Sequence, residues 1–384
     1  MYSFSDLEKY LDSIPGKEST PGGSIRVFHH GKEVFAHSFG YADRENQVKM
    51  TGDEYYFMYS ATKPLTCATA LAAYEEGAFI LAEPVWWYLP EFKNCQVKVY
   101  NPDCSYNLVP LKRDIMIQDL FTMSAGLNYD TAHAEIRKVI EETDGRAPTR
   151  EIAKAIAKIP LEFQPRERWN YSLCHDVLAA LVEVATGVKF SEYMKKKIFE
   201  PLGMTKSTFR INDEILSKMA QQYQYNYSTN KAELYGKRNG YVFGSEYDSG
   251  GAGLITTIDD YAKFVQAMSC GGKAPNGNRI LSPLTVKLMG TNMLDEKRMA
   301  QFSTWRNNCE YGYGLGVRTK IYEGWGGNLC SIGEFGWDGA AGSLCSIDPE
   351  KEIGIVYTQH MLNPHHEQIH PRIKMLVNLA LFDK

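Results

Sequence analysis

One stretch constrains this chain more than any other: residues 59–77, YSATKPLTCATALAAYEEG. Alanine, threonine, cysteine and leucine run almost all round the axis, which predicts a helix packed closely on several sides. Pro64 is tolerated only in a first turn, so the helix is expected to open near Ser60. Gly77 supplies a left-handed stop. A helix of ~17 residues spans about 25 Å and crosses a small domain. A chain of 384 residues can bury such a helix at its centre and has room for two lobes.

The start of that stretch carries chemistry. Ser60 falls at a helix N-terminus, where unpaired N–H groups and the dipole favour negative charge. Lys63 comes one turn later on the same face, within reach of the Ser60 hydroxyl. This is the serine-lysine arrangement used in acyl transfer. A chain of this length contains roughly one or two Ser-x-x-Lys matches by chance at average residue usage. The second match, Ser228 to Lys231, sits in the polar run QQYQYNYSTNK and reads as loop. The weight of the first match therefore depends on partner motifs further along the chain.

Composition removes several classes. Hydrophobic residues at 44% and charged residues at 23% describe an ordinary soluble globular chain. A net charge of −4 and the absence of any basic block beyond Lys195-Lys196-Lys197 argue against nucleic acid. No apolar run is long enough to span a membrane, and the opening MYSFSDLEKYL lacks a secretory pattern. The eight cysteines form no C-x-x-C pair and read as reduced core thiols of a cytoplasmic protein. His29-His30 and His365-His366 read as surface pairs, and His175 as a helix-start hydrogen-bonding residue. Arg372, on the last helix, reads first as a surface residue and second as a partner for a substrate carboxylate. No zinc-binding helix, other metal or organic cofactor is expected.

Along the chain, Ser5 with Glu8 predicts a capped helix. Residues 24–30 and 33–41 predict a hairpin. Helices are expected over 115–122, 133–142, from Pro148 to Pro160, over 176–186, from Ser191 to before Pro201, over 259–268 behind a Thr257/Asp260 capping box, and from Ser282-Pro283. Strands are expected over 311–319, 342–347 and 352–359, with a turn at 348–351 and a closing helix over 367–381. Strands at both ends around a helical centre imply one sheet built from both termini with a helical lobe inserted. The expected division is 1–58 with 300–384 as an α/β sandwich lobe and 59–299 as a mainly helical lobe, the site lying between them.

Two further motifs complete a set. Tyr171-Ser172-Leu173 precedes the 176–186 helix, where a tyrosine can move protons; with 24 tyrosines in the chain, it means little alone. Trp337-Asp338-Gly339 leads through Ala340 into a strand, and its small residues let backbone N–H groups face an oxyanion. Trp325-Gly326-Gly327 competes for this role but reads as a connecting turn. The ordered set Ser60-Ala61-Thr62-Lys63, Tyr171-Ser172-Leu173 and Trp337-Asp338-Gly339 resembles the serine β-lactamase-related superfamily. Supporting stretches are LPEF at 89–92, LFTMSAGL at 120–127, HDVLAALVEVATG at 175–187 and SGGAGLITTIDDYAKF at 249–264. The likeness spans nearly the whole chain and is nearest to the class C β-lactamase branch and the family VIII carboxylesterases.

The resemblance implies a β-lactamase/transpeptidase-like α/β fold, an antiparallel sheet flanked by helices with an inserted all-helical lobe. It implies Ser60 as nucleophile, Lys63 as its partner, Tyr171 as proton shuttle, and the N–H groups of Ser60 and Ala340 as oxyanion hole. Leu173, Trp337, Asp338 and Gly339 would meet substrate. Class C lactamases carry Asn where Leu173 stands and Lys where Trp337 stands. An indole cannot attract a substrate carboxylate but can pack on an acyl or alcohol group. Both departures favour an uncharged small ester over a penicillin. The expectation is a carboxylesterase-like serine hydrolase of small esters or amides, with no cation at the indole's place. A class C-type β-lactamase or D-amino-acid-specific peptidase is the alternative within the class, and a silent scaffold or ligand sensor the alternative outside it. The absence of G-x-S-x-G removes the α/β-hydrolase elbow.

Overall fold

The computed structural model describes residues 2–17, 20–305, 309–324 and 326–382; Trp325 lies outside them. Eight antiparallel strands form the main sheet. Their spatial order is Tyr311–Tyr313, Arg318–Lys320, Phe335–Asp338, Leu344–Asp348, Ile353–Gln359, Gly22–His29, Lys32–Asp43 and Val48–Lys49. Gly23 pairs with Gln359 and His29 with Ile353, so strands from both ends of the chain meet in one sheet. The first two strands turn through His30 and Gly31, both at positive φ (52° and 67°), the mirror-image turn that suits a twisted hairpin.

Helices cover both faces, which explains the unbroken burial of Ile353–Gln359. Ile353, Ile355 and Tyr357 join a core with Leu7 and Leu11 of the first helix and Ile369, Ile373 and Val377 of the closing helix His366–Phe382. Val356 points the other way, into the large core shared with the serine helix. The helix Ile258–Ser269, from the middle of the chain, packs on this second face. A methyl added at Gly354 would stand 2.9 Å from its Val265.

The serine-bearing stretch 59–77 divides in two. Tyr59–Ala61 forms a 3-10 turn and Thr62–Glu75 the α-helix, with residues 62–73 buried throughout. Its alanines leave room for the equally apolar helix Cys174–Thr186, which stops at Gly187 (φ 70°). The loop at Gly316 comes so close that a methyl there would lie 2.1 Å from the Cys67 sulfur.

Several local expectations change. Residues 311–319 form two strands, because the chain reverses at Gly314–Gly316: Gly316 has φ 84° and the Gly314 N–H bonds the Val317 carbonyl at 2.8 Å. The first helix, Ser5–Lys17, is closed by the Glu8 N–H on the Phe4 carbonyl at 2.9 Å, one residue before the expected cap. The helix expected at Ser191 opens after Lys189 and runs through a π turn and Pro201 to Gly203. Pro201 falls in the first turn of its last segment, where no N–H is required. Two hairpins escape the sequence reading, Gln96–Tyr100 with Tyr106–Pro110 and Tyr223–Asn226 with Lys231–Leu234. The second Ser-x-x-Lys match, at Ser228, sits in the turn of the latter. Cys104 and Cys309 are exposed rather than core, and His29 is buried rather than superficial. Among the described residues no helix is long and apolar enough to cross a membrane.

Candidate active site

Ser60 is presented by a strained turn. Tyr59, just before it, has φ 47°, a conformation costly for a bulky residue. Its ring is buried, and its hydroxyl, with one proton to donate, lies between two acceptors, Gln222 Oε1 at 3.0 Å and the Arg238 carbonyl at 3.1 Å, which holds the turn in place. Ser60 itself is partly exposed.

Three side chains converge there. Tyr171 donates to Ser60 Oγ at 2.7 Å, and Lys63 Nζ lies 3.3 Å from the same oxygen. Lys63 is fully buried. It also donates to the Gly251 carbonyl at 2.8 Å and reaches the Tyr129 hydroxyl at 3.5 Å, so its three donor hydrogens face three acceptors. Trp337 Nε1 stands 3.4 Å from the Tyr171 hydroxyl. The turn after Trp337 reaches back to the serine: a methyl on Gly339 would lie 2.5 Å from the Met58 carbonyl oxygen. The Gly339 N–H bonds the Ser343 carbonyl at 2.9 Å, which closes the turn around Ala340.

A slab of rings walls the site. Tyr129 stacks on Tyr171 with centroids 5.3 Å apart and planes 1° from parallel. Trp305 stacks on Tyr171 at 5.2 Å and on Trp337 at 5.8 Å. Burial, and then the neighbouring Tyr171, push the Tyr129 phenol well above its ordinary value, so it stays protonated. His175 is pushed down to about 3, by burial first and Lys63 second; it contacts the Phe121 carbonyl and the Cys67 sulfur rather than Ser60.

Lys63 is aimed from behind. The Gly251 carbonyl that receives it belongs to the loop Ser249-Gly250-Gly251. Asp176 Oδ1, buried at the start of its helix, accepts from Gly251 N (3.2 Å), Ser249 Oγ (2.8 Å) and Tyr247 Oη (2.6 Å). A methyl on Gly251 would meet Asp176 Oδ2 at 2.4 Å, so only glycine lets the loop approach. Thr66, one turn along from Lys63, donates to the Gly250 carbonyl at 2.7 Å.

Of the residues expected at the site, Ser60, Lys63, Tyr171, Trp337, Gly339 and Ala340 come together. Leu173 does not reach the open site: it is 2% exposed, its N–H bonds the Asn128 carbonyl, and it lines neither adjoining cavity. Asp338 turns toward a cavity of about 380 Å³, where Arg318 Nη1 meets its Oδ1 at 2.9 Å. Burial alone would raise its carboxyl, but Arg318 and then His370 hold it well below the usual range. The indole keeps its expected place, yet a guanidinium stands one residue away, already paired. Sequence reasoning missed Tyr129, Trp305, Arg318 and Asp176. Tyr129 lies just past the LFTMSAGL stretch and Asp176 inside HDVLAALVEVATG, so closeness to those motifs was the one signal that could have found them.

The same reasoning missed a spacing on the closing helix. His366-Glu367-Gln368-Ile369-His370 has the H-E-x-x-H pattern, the two rings 5.7 Å apart. His370 Nε2 bonds the Gly342 carbonyl at 3.0 Å and Nδ1 lies 3.5 Å from Asp338, beside the Arg318 charge. These groups do not converge within metal-ligand reach. Among the described residues, only Glu8, Asp12 and His37 do, on an exposed face away from Ser60.

Comparison with known proteins bears on this arrangement. The Beta-lactamase family model matches residues 7–378. Esterase EstB of Burkholderia gladioli is 27% identical over 287 residues, covering 68% of this chain and 69% of EstB. Acyltransferase mokF of Monascus pilosus is 27% identical over 356 residues, 86% of this chain and 84% of its own. Among solved structures, unliganded simvastatin synthase LovD from Aspergillus terreus superimposes with a TM-score of 0.84 at 21% identity, covering 100% of both chains.

Proposed function

Because the chain belongs to the Beta-lactamase family, we propose that it is a serine hydrolase acting through an acyl-enzyme on small esters or amides, with a carboxylesterase-like preference. One observation carries the reading: Ser60 Oγ lies 2.7 Å from the Tyr171 hydroxyl and 3.3 Å from Lys63 Nζ. Ser60 attacks the substrate carbonyl while its proton passes to the Lys63–Tyr171 pair. The developing oxyanion is received by the N–H groups of Ser60 and Ala340, each worth about 3 kcal/mol in the transition state. Tyr171 then protonates the departing alcohol or amine. Water attacks the acyl-enzyme by the reverse proton path and frees Ser60.

The ester preference is supported by the indole of Trp337 on the Tyr171 hydroxyl and by the esterase named among the relatives. Arg318 is engaged by Asp338, so its charge is already paired rather than held ready for a substrate carboxylate. The acyltransferase relative favours a second outcome at the same acyl-enzyme, capture by an alcohol instead of water. Parallel assays with p-nitrophenyl butyrate, a chromogenic cephalosporin and a D-alanyl anilide test the preference. The expected result is ester turnover that Ser60→Ala abolishes; rapid cephalosporin turnover without ester hydrolysis would overturn it. A fluorophosphonate probe should label Ser60. A folded protein that takes no label is a scaffold.

A further inference from the structure

A second cavity, of about 760 Å³, adjoins the first along His366 and Glu367. Tyr59 and Ala340, the neighbours of the nucleophile and of the turn behind it, form its inner wall. The Tyr241 ring lies edge-on to both Tyr59 (5.9 Å) and Tyr129 (5.8 Å), and Tyr129 reaches Lys63 at 3.5 Å. A fence of phenols therefore leads from the reacting atoms into the cavity. Beyond it stand Tyr227, Tyr235, Gln224, Asn363 and His365. Tyr235 is steadied on one face by Arg238 at 4.5 Å, and Tyr227 packs edge-on against Tyr225 at 5.0 Å.

The lining is unusual in what it combines. Among the described residues that form it there is no lysine or arginine, and the single carboxylate is Glu367. That leaves no permanently charged cation in the lining, only the imidazoles of His365 and His366. Phenol rings offer flat apolar faces, and their hydroxyls, with the amides and imidazole, offer hydrogen bonds at the edges. A ligand with C–H faces and a fringe of neutral hydroxyls matches both. The volume falls in the range of small-molecule sites and accommodates a ring of sugar size or two.

We propose that this cavity binds the alcohol half of the substrate, and that this half is a neutral polyhydroxylated compound, a sugar or cyclic polyol. The inference rests on the acyl-enzyme reading of Ser60. The polyhydroxylated half is the alcohol because its hydroxyls are the groups that form esters; the acyl half then lies toward Trp305 and Trp337. By microscopic reversibility, the site that releases this alcohol in hydrolysis receives it in transfer. In transfer a new ester bond forms between the acyl carbon and the acceptor oxygen, the Ser60 Oγ–acyl bond breaks, and the acceptor's hydroxyl proton returns through Tyr171 to Ser60 Oγ.

Binding is measured first, on Ser60→Ala protein, which needs no turnover. Methyl β-D-glucoside should show saturable saturation-transfer NMR signals with millimolar affinity, and cyclohexanol should not. Replacing Tyr227 and Tyr235 together by leucine should weaken the glucoside at least tenfold, while the same double variant on the Ser60 background keeps the parent's melting temperature and its fluorophosphonate labelling of Ser60. With active protein, the glucoside should yield butyryl glucoside by mass spectrometry. No glucoside binding up to 100 mM, or equal binding of cyclohexanol, overturns the proposal even if ester hydrolysis is brisk. Glucoside binding without any ester hydrolysis or Ser60 labelling would instead remove the acyl-enzyme reading and leave the cavity's ligand class standing.

Discussion

Tyr171 and Asp176 act on Ser60 by different routes, and substitution separates them. Tyr171→Phe keeps the ring stack with Tyr129 and Trp305 but deletes the hydroxyl 2.7 Å from Ser60. Ester kcat should fall by about 10²–10⁴-fold with little change in melting temperature. Asp176 touches no reacting atom; it positions Lys63 through Gly251. Asp176→Ala strands three buried donors, each costing about 1–3 kcal/mol, and should lower kcat more than it raises KM. Asp176→Asn keeps an acceptor oxygen and should restore part of both rate and stability. Equal loss of rate in Asn and Ala variants of matched stability would contradict this positioning role. At this scale Ser60, Lys63, Tyr171 and Trp337 were readable from their own motifs. Asp176 was not, because its role depends on a loop more than 70 residues away meeting its helix, a separation no local pattern records.

At the scale of elements, glycines decide how strands approach helices. Gly339→Ala places a methyl 2.5 Å from the Met58 carbonyl and 2.2 Å from Ser343 Oγ. The turn that carries Ala340 must then move, and kcat should drop about tenfold or more, since removal of one oxyanion donor costs about 10²–10³. Gly316→Ala meets Cys67 and forces alanine into a positive φ. Urea unfolding should show a loss of more than about 1 kcal/mol, and Cys67→Ala in the same chain should return part of it. The long elements were legible because burial on every side writes a long apolar run into the chain: Thr62–Glu75, Cys174–Thr186 and Ile353–Gln359 all stood out. The hairpins at 96–110 and 223–234 did not. In the first of them, exposed Val99, Tyr100, Tyr106 and Leu108 blur the alternation that marks a half-buried strand.

At the scale of the whole molecule, the buried histidines His175 and His360 contribute to the response to acid. Burial lowers His175 to about 3 and His360 to about 4. The unfolded chain binds protons at these sites below about pH 6.5, whereas the native chain resists until about pH 3–4. Their stabilisation is therefore complete above about pH 6.5 and declines as pH falls toward 4, by up to about 1.4 kcal/mol per pH unit for each. Asp338, held low by Arg318, contributes above about pH 4 and loses that contribution at lower pH. Urea midpoints between about pH 7.5 and 4.5 should fall continuously, and a stability profile flat across that window would contradict the assignment.

The sequence alone determined the order of motifs and the presence of a buried helix headed by Ser60, because residue identity and hydrophobic period are written along the chain. It also determined that Trp, not Lys, stands at the third motif, which set the expectation of an uncharged substrate. Only the tertiary structure decided that Arg318 faces Asp338, that Leu173 is buried away from the cleft, and that tyrosines from 59 to 241 wall a single cavity. Those are distances between strangers in sequence. They result from how the sheet, its loops and its helices pack, and packing is settled by the whole chain at once.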